Sequence, residues 1–82
     1  MTQVSLGKLR WRCRRGTKEL DKMFSDFLDN EYAQASNEMQ QGFVLLLEQQ
    51  DPDVYDWLMG AAVPEERALL AVVKRMRERC GF

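Results

Sequence analysis

Apolar residues recur at helical intervals along most of this chain, and strict alternation is absent. The clearest stripe is Leu20, Met23, Phe24, Phe27, Leu28 and Tyr32, spaced i, i+3, i+4, i+7, i+8, i+12, which predicts an amphipathic helix from about Thr17 to Ala33. Upstream, Leu6, Leu9 and Cys13 share one face of a helix from about Ser5 to Arg15, with Ser5 as its cap. Lys8, Trp11, Arg12 and Arg15 fall on the other side. Gly16 then stands where a left-handed glycine would end that helix. A third helix is expected from Ser36 or Asn37 to about Gln49, with Met39, Phe43, Leu46 and Leu47 inward and Val44 and Leu45 broadening the stripe.

Punctuation sets the last two segments. Asp51 caps a short helix, Pro52 takes its first position, Asp53 faces the positive end of the dipole, and Gly60 stops it. The fifth opens at Pro64-Glu65-Glu66, buries Leu69, Val72, Val73 and Met76, gathers Lys74, Arg75, Arg77 and Arg79 near its end, and closes at Gly81. Tyr32, Tyr55 and Trp57 are expected mostly in the core, with their tips free to emerge at a binding face. The predicted fold is all-α, a compact array of about five helices in one domain spanning residues 1–82. The first few residues and the last two are expected to be loosely held.

Composition narrows the chemistry. With no histidine, the chain cannot run Ser-His-Asp or Cys-His catalysis or build a His-containing zinc site. Cys13 and Cys80 are too few for a four-cysteine site and read as reduced thiols, not a disulfide framework. The five glycines form no phosphate-cradling loop. Asp51, Asp53 and Asp56 cluster at a helix start, where capping and solvated roles outweigh a metal site. The longest apolar run, Phe43 to Leu47, is far short of the roughly 20 residues of a membrane span. Without a secretory or transit pattern at the N-terminus, a cytoplasmic, bacterial-type protein is expected.

The net charge of −1 conceals segregation. Residues 1–22 carry seven basic groups and two acids; residues 23–66 carry ten acids and no base; residues 67–82 carry five bases and one acid. The run Arg10-Trp11-Arg12-Cys13-Arg14-Arg15 suits phosphate contact and base stacking, but the acidic middle and a pI near 5.4 argue against a nucleic-acid binder. At the junction of the first two helices, Arg15-Gly16-x-x-Glu19 has plain structural readings. Glu19 reaches back to a free N–H near Gly16, or pairs with Arg15 across the turn for at most about 1 kcal/mol.

Two stretches, Arg14-Arg15-Gly16-Thr17-Lys18-Glu19-Leu20-Asp21 and Leu46-Leu47-Glu48-Gln49-Gln50-Asp51-Pro52-Asp53-Val54-Tyr55-Asp56-Trp57-Leu58, change the weighting. Together they resemble the FAD assembly factors of succinate dehydrogenase (the SdhE or YgfY-like family) over roughly residues 8–79. The resemblance implies a five-helix fold and a chaperone role. The chain would bind the flavoprotein subunit of succinate dehydrogenase, or of fumarate reductase, and promote covalent FAD attachment to a histidine of that client. It would be no enzyme, would hold no cofactor stably and would carry no catalytic or metal site of its own. The family's motif maps onto Arg15, Gly16 and Glu19 as the client-contact surface, with Arg12, Trp11 and Asp21 beside it. An antitoxin-like interaction module is the alternative from another class, and a small nucleic-acid binder the third.

Overall fold

The computed structural model describes residues 6–80 and contains five α-helices and no strand among them: α1 Leu6–Arg12, α2 Lys18–Asn30, α3 Asn37–Leu47, α4 Asp51–Met59 and α5 Arg67–Cys80. A short 3-10 turn, Tyr32–Gln34, links α2 to α3. The expected cap at Ser5 and stop at Gly81 lie outside the described residues.

Local chemistry accounts for most of the helix ends. Thr17 caps α2, its hydroxyl accepting the Leu20 N–H at 3.2 Å, and Ser36 caps α3 by accepting the Met39 N–H at 3.2 Å. Gly60 ends α4 in the left-handed region at φ 87°, the only positive φ among the described residues. There the Ala61 N–H returns to the Asp56 carbonyl at 2.8 Å and the Gly60 N–H to the Trp57 carbonyl at 3.3 Å.

Five boundaries differ from the sequence reading, the smallest being that of α3, which ends at Leu47 and not at Gln49. The first helix stops at Arg12, not Arg15, and Gly16 has no positive φ, so it is not a left-handed cap. The α2 stripe holds as predicted, but the helix ends at Asn30 and Tyr32 is reached through the 3-10 turn. Gln50, not Asp51, is the N-cap of α4, which puts Pro52 in the second helical position. Helix α5 starts at Arg67, three residues beyond Pro64, because the Pro64 ring is buried in the preceding loop and the Glu66 carbonyl accepts the first helical bond, from the Leu70 N–H at 2.9 Å.

The core draws on all five helices: Leu9 and Cys13 at the α1 end, Leu20, Met23, Phe24, Phe27 and Leu28, then Phe43, Leu46 and Leu47, Val54 and Leu58, and Leu69, Val72, Val73 and Met76. Phe43 is its hub. Its ring stacks on Phe27 with centroids 4.7 Å apart and meets Phe24 and Tyr32 at tilted angles, at 5.8 and 5.6 Å. The principal interface is α3 on α5, where Gly42 faces the Ala68 backbone. Of the aromatics expected mostly inside, Tyr32 and Trp57 are partly buried against the core, whereas Tyr55 is exposed.

Opposite charges from distant parts of the sequence meet across these interfaces. Near the end of α5, Arg79 grips Asp26 through two nitrogens at 2.7 and 3.1 Å and reaches Glu31 at 2.8 Å. Arg75 holds Glu31 in a fork at 3.0 and 3.1 Å. Arg10 of α1 pairs with Asp29 at 2.5 Å. Part of the segregation seen in the sequence is therefore complementary: the basic head and tail each fold onto the acidic middle.

Candidate functional site

The chain between α1 and α2 carries Arg15, Gly16 and the approach to Glu19, and it is held by side chains rather than by a helical ladder. Cys13 and Arg14 still donate their N–H groups back to α1, to Leu9 and Trp11 respectively. Beyond them the Arg15 N–H donates to Asp21 Oδ1, and the Gly16 N–H donates to Asp51 Oδ2 at 3.0 Å. The neighbouring Asp51 oxygen accepts Arg15 Nε at 2.7 Å.

The Arg15 side chain turns inward and is only 10% exposed. Its two terminal nitrogens donate to the carbonyls of Leu47 at 2.8 Å and Gln49 at 2.5 Å, groups left without helical partners where α3 ends. The guanidinium also lies over the Phe24 ring, 5.3 Å from its centroid. One arginine thus ties the α1–α2 turn to the end of α3, the start of α4 and the aromatic core.

The other candidate residues surround this staple. Gly16 is exposed, and a Cβ there would stand 3.2 Å from Asp51 Oδ2, a tight approach that favours glycine. Glu19 is exposed on the first turn of α2, and its carboxylate has no partner among the described residues. The pairing of Arg15 with Glu19 and the back-reach of Glu19 are both replaced. Asp51 takes the guanidinium, and Asp21, half-buried one turn further on, takes the backbone N–H.

Trp11 is 76% exposed, far more than a half-buried packing residue, and with Arg12, Arg14, Arg15, Leu47 and Glu48 it lines an open depression of about 710 Å³. Arg15 and Leu47 belong to its buried side, while Trp11, Arg14 and Glu48 are exposed around it. Arg12 and Arg14 have no acidic partner among the described residues. Sequence reasoning missed Asp51, which it assigned to a helix cap. The only signal was its position in the second motif stretch, with nothing local to join it to Gly16.

Chemistry elsewhere is sparse. Burial pushes the Cys13 thiol up to about 11, which keeps it protonated. Cys80 is exposed, and both cysteines are free thiols. Asp53 and Asp56 are exposed, and among the described residues no three His, Cys, Asp or Glu side chains are grouped to hold a metal ion. No described helix is long and apolar enough to cross a membrane.

Comparison with known proteins gives this surface a family context. Residues 7–80 match the Sdh5 family, described as flavinator of succinate dehydrogenase. The FAD assembly factor SdhE of Shewanella oneidensis is 39% identical over 81 residues, covering 99% of each chain. Its namesake in Colwellia psychrerythraea is 39% identical over 79 residues, or 96% of this chain and 87% of that one. The SdhE of Coxiella burnetii is 34% identical over 71 residues, 87% of each. With nearly its whole length matched, and the Arg15-Gly16-x-x-Glu19 turn inside the matched region, the chain belongs to the Sdh5 family, the flavinators of succinate dehydrogenase.

Proposed function

We propose that this protein is an FAD assembly factor: it binds the flavoprotein subunit of succinate dehydrogenase, or of fumarate reductase, and promotes covalent attachment of FAD to that subunit. The observation that carries the reading is the α1–α2 turn. An exposed glycine and a Glu19 with no partner among the described residues sit on a backbone held by the half-buried carboxylates of Asp21 and Asp51, beside an exposed tryptophan and Arg12 and Arg14, which have no acidic partner among the described residues. A rigid, two-signed patch with a protruding indole suits protein recognition, where aromatic and arginine side chains supply much of the binding energy. The relatives named as FAD assembly factors match this chain over most of its length.

Trp11, Arg12, Gly16 and Glu19 form the docking surface on this reading, with Arg15 as its floor and Asp21 as a support. The chain acts as a chaperone, not an enzyme, and it holds no flavin of its own. It has no histidine, so a histidine that accepts the flavin belongs to the client. What the assembly factor supplies is differential affinity, binding the attachment-competent state of the client more tightly than the others.

The test is genetic. Deleting the gene and measuring covalently bound flavin by in-gel fluorescence should abolish or strongly reduce the flavoprotein band, and re-expression of the chain should restore it. Unchanged fluorescence in the deletion strain would overturn the reading.

A further inference from the structure

Resting on that docking reading, we propose that Asp51 is a positioning residue for the docking turn, and that Arg15 acts with it from the inside instead of meeting the client directly. Asp51 opens α4, yet its carboxylate serves two consecutive residues of the α1–α2 turn. Oδ1 takes Arg15 Nε at 2.7 Å and Oδ2 takes the Gly16 N–H at 3.0 Å. No helical or turn carbonyl accepts the N–H of Arg15 or Gly16; those two donors are satisfied by Asp21 and Asp51. Every nitrogen of the Arg15 guanidinium already has an acceptor inside the molecule. What the turn offers outward is the Gly16 backbone and the Glu19 carboxylate, and their placement depends on Asp51.

The chemistry is demanding. Only an ionised carboxylate presents two acceptor oxygens to two donors at once. An asparagine must turn its amide NH₂ toward one of them and so lose that bond. A glutamate keeps the charge but carries the carboxylate one methylene too far.

Asp51→Asn and Asp51→Glu test this, with Arg79→Gln as a variant that breaks the distant α2–α5 ion pairs and leaves the turn intact. Two readouts apply: amide hydrogen exchange at Gly16 by NMR, and affinity for the purified flavoprotein subunit at a temperature where circular dichroism shows full helicity. Loss of one charge-assisted hydrogen bond predicts Gly16 exchange about tenfold faster and client affinity about tenfold weaker in Asp51→Asn. Asp51→Glu should move both readouts in the same direction. Arg79→Gln should melt earlier and yet bind the client as the parent does.

Unchanged Gly16 exchange in Asp51→Asn overturns the proposal. So does retained client affinity, or an equal loss of affinity in Arg79→Gln. Unfolding of both Asp51 variants also overturns it, in favour of a purely stabilising role. If the parent protein itself fails to bind the flavoprotein, the docking reading fails, while the exchange data still decide whether Asp51 holds the turn.

Discussion

A methyl group on Gly42 of α3 would stand 2.5 Å from the carbonyl oxygen of Ala68 in α5, closer than a Cβ carbon approaches any non-bonded atom in a folded protein. The two backbones can come this near only because residue 42 has no side chain, and their closeness brings the Val72 side chain against the same spot. Gly42→Ala should therefore lower stability despite alanine's better helix propensity. Overpacking costs about 1–3 kcal/mol, against about 1 kcal/mol gained in the helix. Thermal melts followed by circular dichroism should show an earlier midpoint; a later one would mean that α3 and α5 separate freely.

Gly60 makes a different demand. Its φ of 87° is costly for any residue with a Cβ, and the added atom would meet Arg77 only at the movable end of that side chain, 2.8 Å away. Gly60→Ala should cost about 1 kcal/mol, chiefly from the backbone. Gly60→Asn should cost less, because asparagine tolerates the left-handed region. Equal losses in the two variants would point to Arg77, not the backbone, as the source.

The arginines of α5 make stability depend on acid. Hydrogen bonds from Arg79 hold the Asp26 carboxyl below its ordinary 3.8, and those from Arg75, with Arg79 adding to them, hold Glu31 below its ordinary 4.5. Both folded values lie beneath the unfolded ones. The stabilisation is fully present above the unfolded values, and it is lost as pH falls through the depressed folded values. Urea melts should show constant stability from neutral pH down to about 5 and a decline below about 4, with a smaller decline in Arg79→Gln. An identical acid decline in that variant would place the sensitive carboxylates elsewhere.

The two cysteines should differ in reactivity. Cys13 is 1% exposed and its thiol is pushed up to about 11, whereas Cys80 is at the surface. Alkylation of the native protein at pH 8 should add one label, on Cys80, and a second only after denaturation. Two labels under native conditions would show that α1 opens readily.

Trp11 tests recognition apart from folding. At 76% exposure it contributes little to the core, so Trp11→Ala should leave the unfolding free energy within about 0.5 kcal/mol of the parent. On the docking reading it should weaken client binding by about 2 kcal/mol or more, as loss of an aromatic anchor does. A calorimetric titration with the purified flavoprotein subunit showing parent-like affinity would remove the indole from the interface.

Periodicity was the most legible part of the fold. The stripe from Leu20 to Leu28 appears in the structure residue for residue, because a 3.6-residue repeat reports directly which face meets the core. The stop at Gly60 was readable for the same kind of reason: a helix end is a local event. Pro64 was not. A proline suits the first turn of a helix, but here its ring is spent on packing in the preceding loop. Gly16 misled similarly. Its position fitted a left-handed cap, and its actual duty is to admit the carboxylate of Asp51, a residue 35 positions away. The motif residues Arg15, Gly16 and Glu19 could be named from the sequence, but which of them face outward depends on tertiary pairing with Asp51 and Asp21, and no local pattern encodes that.

The tie between α5 and the rest of the molecule bears on how the chain is made. Helix α3 leans on α5 as its main neighbour, and the last turns of α5 supply the cations that Asp26 and Glu31 await. A nascent chain that has exposed only α1 to α4 thus has a half-open core and a surplus of unneutralised acid. Docking of α5 is what closes that core over α2, α3 and α4 and neutralises Asp26 and Glu31.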